Sequence, residues 1–294
     1  MTILLAVITV AALGIWIPLA QLLPGTPERS RIVYVAVGNV VFVGLALLVS
    51  GASLVLTWRG FWLPLIGGVV WAGGNYCVLK ASQAIGLARA AGTWTPLNIV
   101  VAFAWGALLF GELDGFSAAR FAVLGVAFVV VVAGVLLIAG SRKGTARGTR
   151  SSSPRAGLLW AIGAGVLWGS YFVPAQWAAV PAQVSDFPLA LGILGGALAL
   201  AVPAGEPTRL GVRATSALLG AGVLFGIGNL ALLGLVARVG TGTGFTIAQL
   251  SLVVNASVGV WIFRVPEPGT RQAHKVLAGI VLAAVGGCAI AALR

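Results

Sequence analysis

The sequence predicts an all-α integral membrane protein: ten transmembrane helices arranged as two inverted five-helix repeats. Three observations carry that expectation. The 294-residue chain is 60% hydrophobic and only 8% charged, with a mean hydropathy of +1.07. A soluble chain of this length could not cover so much apolar surface, so its solvent is lipid. Ten apolar stretches, each near the roughly 20 residues a helix needs to cross a bilayer, are joined by mostly short connections. Finally, a motif recurs. Leu224-Phe225-Gly226-Ile227-Gly228-Asn229 repeats Val70-Trp71-Ala72-Gly73-Gly74-Asn75 at an offset of 154 residues, and the same register carries Gly86 onto Gly240 and Thr95 onto Gln249.

The stretches lie at 2–21, 32–50, 61–80, 89–110, 117–139, 156–178, 187–204, 213–235, 241–263 and 274–293. Strand-period alternation is absent, which argues against a β-barrel. The first stretch has no basic segment ahead of it, and its counterpart at 156–178 argues against cleavage as a signal peptide: removal would leave one repeat a helix short. It contains Pro18, matched by Pro174 in the sixth stretch. An intramembrane proline removes a backbone donor and bends its helix, so the pair is a candidate hinge. The third stretch carries Trp71 and Asn75 at i, i+4 spacing, on one helix face. The fourth carries Trp94 and Asn98 at the same spacing, with Thr95 beside them.

Between the halves lies Gly140-Ser141-Arg142-Lys143-Gly144 through Ser153-Pro154-Arg155, a small, polar, basic segment that reads as a flexible linker. It divides a first repeat (1–140) from a second (156–294), with 141–155 between. Five helices per half start the second half from the opposite membrane face, which inverts one repeat against the other. The sixth stretch places Trp168 and Tyr171 at i, i+3. The eighth carries Asn229, repeat mate of Asn75. The ninth carries Thr246 and Gln249, also at i, i+3. Glycines crowd the third and eighth at Gly67, Gly68, Gly73, Gly74, Gly220, Gly222, Gly226 and Gly228. Gly222 and Gly226 form a small-xxx-small pair that lets helix backbones approach.

The net charge of +12 is a topology signal, not a nucleic-acid footprint. Taking odd-numbered loops, Arg29, Arg31, Lys80, Arg89, Arg142, Lys143, Arg147, Arg150, Arg155, Arg209, Arg213, Arg264, Arg271 and Lys275 fall on one side. Only Arg59, Arg120, Arg238 and Arg294 fall on the other. The positive-inside rule then makes the linker cytoplasmic and puts both termini outside, in what reads as a bacterial plasma membrane protein. Trp58, Trp62, Trp160, Trp177 and Trp261 near helix ends read as interfacial anchors. Cys77 and Cys288 lie inside apolar stretches and read as small buried groups. His274 sits in a basic loop and reads as solvated. No metal or redox motif is present, and no cofactor is expected. Glu28, Glu112, Asp114, Asp186, Glu206 and Glu267 all fall at helix ends or in loops, so the expected cavity is neutral.

The ten-helix, five-plus-five layout resembles the EamA-like transporters of the drug/metabolite transporter superfamily. Thr95-Pro96-Leu97-Asn98 through Phe110-Gly111-Glu112 looks like that superfamily's proline-then-Gly-Glu helix ending. Gly165-Val166-Leu167-Trp168-Gly169-Ser170-Tyr171-Phe172-Val173-Pro174 is similar to a helix start of its glucose/ribose porter branch. The second half departs from the pattern in Phe263-Arg264-Val265-Pro266-Glu267, and relatives are often drawn with both termini in the cytoplasm. The resemblance implies a secondary transporter of a small polar solute.

The helix residues sharpen this. Unpaired amides in hydrocarbon cost several kcal/mol, so these must face protein or a watery cavity. Trp71, Asn75, Trp94, Thr95, Asn98, Trp168, Tyr171, Asn229, Thr246 and Gln249 offer neutral donors and acceptors with flat apolar walls, which suits a polyol. The expected site lies between the repeats and opens to each side in turn. A sugar or similar metabolite is the leading substrate; an exporter of amino acids or drug-like metabolites is the alternative. An enzyme would need clustered nucleophilic or acid–base groups at membrane depth, which the sequence lacks. The expected partners are that solute and the lipid bilayer, with no nucleic acid; two fused repeats make a monomer self-sufficient.

Overall fold

The computed structural model describes residues 1–21, 23, 26–54, 57–85, 87–141, 154–205, 209–262 and 267–292. The linker core at 142–153, Gly86, Glu206, Arg294 and the stretch Phe263-Arg264-Val265-Pro266 lie outside the described residues, as do the side chains of Glu28, Arg89 and Cys288.

Helix accounts for the apolar stretches because a backbone in lipid has no water to satisfy it and must bond within its own segment. In chain order the helices are α1 (Thr2–Gln21), α2 (Glu28–Ser50), α3 (Leu63–Ile85), α4 (Leu87–Leu109), α5 (Ala118–Ser141), α6 (Pro154–Trp168), α7 (Val173–Trp177), α8 (Ala182–Ala201), α9 (Val212–Val239), α10 (Thr241–Gln249), α11 (Ser251–Trp261) and α12 (Arg271–Ala292). A π turn, Trp58–Trp62, leads into α3, and its entry is capped by Thr57, whose hydroxyl oxygen accepts from the Gly60 N–H at 3.1 Å. No strand occurs among the described residues. Among the described residues, six runs are long and apolar enough to cross a membrane: Thr2–Ala20, Arg29–Ser50, Trp58–Ser82, Arg155–Trp177, Ala182–Ala201 and Val212–Val239. Thr93–Leu109 and Ala118–Gly134 are shorter apolar helices. Trp58, Trp62, Trp160, Trp177 and Trp261 are all exposed, as interfacial anchors require.

The boundaries differ from the expected ones in three informative places. The sixth stretch is broken at residues 169–172, so Pro174 stands in the first turn of the short α7 and not inside a continuous helix. Pro18 does lie inside unbroken α1. The ninth stretch is broken at Leu250, where the Leu250 and Val253 N–H groups make tighter, turn-like bonds to Ile247 and Leu250. The seventh helix begins at Ala182, five residues before the expected start, because Pro181 sets the extended entry to its first turn.

The chain forms two compact units, residues 1–76 with 170–238 and residues 77–169 with 239–294. Each draws on both halves of the sequence. The first contains α1, α2, α7, α8, α9 and the first part of α3. Its packing rests on close helix approaches at glycine. A methyl at Gly222 of α9 would collide with the Val35 carbonyl and lie 2.9 Å from the Asn39 nitrogen, both on α2. A methyl at Gly68 of α3 would collide with the Leu189 carbonyl and lie 2.6 Å from the Ile193 nitrogen, both on α8. Every residue in the first set stands at the repeat offset from one in the second: Gly68 and Gly222, Val35 and Leu189, Asn39 and Ile193. The contact is made twice. Register rises in parallel along both pairs, since Gly226 meets Phe42 and Gly196 meets Ala72. Backbones this close gain van der Waals contact that no larger residue would allow, the usual source of helix cohesion in lipid.

The second unit contains α4, α5, α6, α10, α11, α12 and the last part of α3. Here α5 and α12 pack along their length, with Gly134 against Gly279 and Ala283, and Gly286 against Ala127 and Val131. The register falls on one helix as it rises on the other, so the two run antiparallel. These too are repeat mates, at an offset two residues shorter. Ile99, Leu124, Ala127, Val131 and Ile290 form the apolar cluster around this pair.

Candidate substrate site

The expected site residues fall into two groups, one in each unit. In the first unit, Trp71 of α3 and Phe225 of α9 touch with ring centroids 5.1 Å apart, and the Trp16 ring of α1 also lies 5.1 Å from that of Phe225. Trp71 and Phe225 are repeat mates, so the duplicated motif meets itself here. Asn75 and Asn229 follow one helical turn after these rings. Both are buried, Asn229 to 1% exposure.

The two amides differ in their bonding. The Tyr171 hydroxyl donates to Asn229 Oδ1 at 3.0 Å, and Asn229 Nδ2 donates to Asp186 Oδ1 at 2.8 Å. The break between α6 and α7 delivers Tyr171 to this chain of bonds, and the early start of α8 delivers Asp186. Asn75 Nδ2, by contrast, has no hydrogen-bond partner, and neither does Asp186 Oδ2. Interhelical glue would be bonded across helices, as Asn229 is; Asn75 keeps open donor capacity.

Asp186 corrects the expectation of a neutral interior. It was read as a helix-end residue because the apolar run begins at Phe187. It lies inside α8, is 0% exposed, and is the only ionisable residue on that helix. Buried ionisable side chains on helices of membrane-spanning length are costly and mark functional positions. The repeat offered no warning, since the residue at the matching place in α2 is Ile32. The one signal was Pro181, a helix starter placed five residues ahead of the acid.

In the second unit, Trp94 of α4 and Trp168 of α6 meet edge to face with centroids 6.1 Å apart. Thr95 and Asn98 are buried beside them, and Asn98 Oδ1 has no partner. Gly165 of α6 and Gly169 just after it pack directly on the Trp94 and Asn98 carbonyls. Thr246 of α10 spends its hydroxyl proton on the Gly242 carbonyl of its own helix, at 2.7 Å. Gln249 is half-buried at the break before α11. Broken membrane helices free backbone groups where they line a site, and both breaks fall at expected site residues, Tyr171 and Gln249.

Glu112 has a structural assignment. Its carboxylate accepts from the Thr241 and Gly242 N–H groups, the latter at 2.9 Å, and so caps the N-terminus of α10. Gly240 precedes that helix with φ 83°, a conformation that favours glycine. The negative carboxylate complements the positive end of the helix dipole there. Lys80 sits five residues inside α3 and is half-buried. Cys77 is a buried free thiol, and His274 is exposed and bonded to the Thr270 carbonyl oxygen.

Comparison with known proteins adds the family. Residues 4–293 match the family model described as Sugar transport protein. The chain is 25% identical over 270 residues to a putative sugar uptake protein of Lactiplantibacillus plantarum, covering 92% of each chain. It is 25% identical over 228 residues to the glucose uptake protein GlcU of Bacillus subtilis, covering 78% of this chain and 77% of that one. A putative sugar uptake protein of Bacillus cereus is 27% identical over 293 residues, covering 99% and 98%. A solved crystal structure superimposes with a TM-score of 0.69 over 99% of both chains at 22% identity, a likeness of fold.

Proposed function

The chain belongs to the Sugar transport protein family, and from that premise we propose that it carries a sugar or a similar small polar solute across a bacterial plasma membrane by alternating access. Membership makes it a transporter and not an enzyme. The observation that carries the substrate reading is the open hydrogen-bonding capacity buried among apolar helices: Asn75 Nδ2 and Asn98 Oδ1, each near an indole. Neutral donors and acceptors bind hydroxyls, and a flat ring covers the C–H face of a pyranose. Trp71, Asn75, Tyr171 and Asn229 would serve in the first unit. Trp94, Thr95, Asn98, Trp168, Thr246 and Gln249 would serve in the second. Pro18 in α1 and the Pro174 turn after the 169–172 break are the proposed points of bending.

Inverted repeats in a ten-span chain are the architecture that fits best. The support is the duplicated glycine contact, with mated residues at a constant offset, and the antiparallel packing of α5 on its own mate α12. With fourteen of the eighteen basic residues on one side, the linker faces the cytoplasm and both termini lie outside.

A second reading is favoured by Asp186. A buried carboxylate is what an exporter of cationic amino acids or drug-like metabolites would use as counter-charge. Purified protein in liposomes separates the two, tested against sugars, amino acids and cationic dyes with and without a pH gradient. Saturable sugar uptake is the expected result. Dye movement that ignores added sugar would replace the sugar reading with the exporter.

A further inference from the structure

We propose that Asp186 carries the coupling proton of the transport cycle, bound on Oδ2 while the site is sealed and released when that oxygen meets water. This rests on the reading of the chain as a solute carrier. The geometry supplies three reasons. The side chain is 0% exposed, so in this conformation nothing larger than a proton or a bare cation reaches it without rearrangement. One carboxylate oxygen is held by the Asn229 amide at 2.8 Å, while the other has no hydrogen-bond partner. A charge with an unpartnered oxygen in such an interior costs several kcal/mol, and an O–H bond on Oδ2 removes that charge.

Among the described residues, no basic side chain bonds Asp186 Oδ2. On the elements packed against Asp186, the titratable or charged groups are few. Tyr171 reaches it through Asn229. Arg59 is exposed on the π turn. Arg29, on α2, lies over the Tyr76 ring of α3 and donates to the Leu200 carbonyl, at the opposite end of α8. Tyr34 and Arg31 share that end of α2, Cys77 and Lys80 lie in the C-terminal part of α3, and Arg213 and Arg238 stand at the two ends of α9; α7 has no charged residue.

The coupling follows from the hydrogen bonds. Asn229 is both a proposed solute ligand and the one donor to Asp186. A sugar hydroxyl competing for the Asn229 amide withdraws support from the ionised carboxylate and favours the protonated one, so solute and proton load together. The O–H bond forms on Oδ2 with a proton from the more acidic side and breaks to water on the other, one proton per solute.

The test is glucose transport by reconstituted wild-type protein and Asp186→Asn, in two modes. Counterflow exchange needs only a loaded carrier, whereas accumulation against a gradient needs proton release. A one-unit pH gradient permits up to about tenfold accumulation at one proton per sugar. Wild-type protein is expected to approach that ratio, and Asp186→Asn to equilibrate only, with counterflow kept within about twofold. Asp186→Glu, which restores an acid, is expected to recover part of the accumulation. Wild-type protein that exchanges sugar in counterflow but does not accumulate it under the pH gradient would overturn the proposal while leaving the sugar reading intact, as would full accumulation by Asp186→Asn. Absence of wild-type counterflow for glucose and for other hexoses and pentoses would overturn both. Should Asp186→Asn fail to fold, infrared difference spectra of wild-type protein carry the test: adding glucose must perturb a protonated-carboxyl band that shifts in Asp186→Glu, and its absence refutes the assignment.

Discussion

Gly68 and Gly222 offer a quantitative check of the packing, because they occupy the same contact made twice. Alanine at either position puts a methyl group into a backbone carbonyl of the facing helix, Leu189 for Gly68 and Val35 for Gly222, and presses on an amide nitrogen at 2.6 and 2.9 Å. No flexible side chain stands there to yield, so the helices must separate along the contact. Overpacking of this kind costs about 1–3 kcal/mol, and matching surroundings predict matching costs for Gly68→Ala and Gly222→Ala. Gly195 and Gly220 are the controls. They lie in the same helical layers, α8 and α9, yet a methyl at either meets nothing within 4 Å. Alanine there should be neutral or stabilising by about 0.5–1 kcal/mol through backbone entropy. The assay is thermal unfolding of the detergent-solubilised protein, followed by loss of the monodisperse chromatographic peak. Equal destabilisation at 68 and 222 with none at 195 and 220 is expected. Penalties differing by more than about 1 kcal/mol, or a control as damaging as its neighbour, would refute the claim that the two approaches are equivalent.

Replacing Asn75 or Asn229 with alanine removes hydrogen bonds from the proposed site, worth about 1–3 kcal/mol of binding. Solute transport in liposomes should therefore fall roughly 5- to 100-fold with membrane insertion unchanged, and unaltered transport in both variants would reject the site. Glu112→Ala strips the N-terminus of α10 of its carboxylate cap and should cost about 0.5–2 kcal/mol of thermal stability, with Glu112→Gln intermediate; equal stability of all three would remove Glu112 from that role. A cysteine introduced by Ser151→Cys should react with an impermeant maleimide only after cells are opened, since the linker is assigned to the cytoplasm. Labelling of intact cells would invert the topology.

Much of the architecture was legible in the sequence because lipid leaves the chain few choices. Long apolar runs must be helical, so their positions could be read within a few residues. The repeat offset read from Trp71 and Phe225 also relates the two glycine contacts to each other. What stayed hidden depended on tertiary bonding. The break at 169–172 interrupts a run that hydropathy shows as continuous, and nothing local marks Tyr171 as the residue it would reorient. Asp186 looked peripheral because an acidic residue lowers the hydropathy of its own window and so appears to end the helix that it in fact occupies. Its place became visible only through Asn229 on another helix. The hydroxyl of Thr246 looked available, yet a helical threonine can bond back to its own i−4 carbonyl, as this one does.

The duplication within the chain makes the difference between Asn75 and Asn229 meaningful. In the first unit the close glycine approaches cross the halves: Gly68 of the first meets Gly192 of the second, and Gly38 meets Gly222. The duplicated motif is likewise completed across the halves, at Trp71 and Phe225. If the halves had remained equivalent, Asn75 would find on α2 what Asn229 finds on α8. It does not, because Asp186 is matched by Ile32, and Tyr171 is matched by Ile15 when Pro18 is set on Pro174. An amide whose counterpart's partners have become apolar cannot close its bonds within the protein. In the proposed site Asn75 serves the solute alone, while Asn229 serves the solute and Asp186 together. One duplicated residue thus serves two ends, and each can be removed without removing the other: Asn75→Ala should weaken solute binding and leave proton coupling intact, whereas Asp186→Asn should do the reverse.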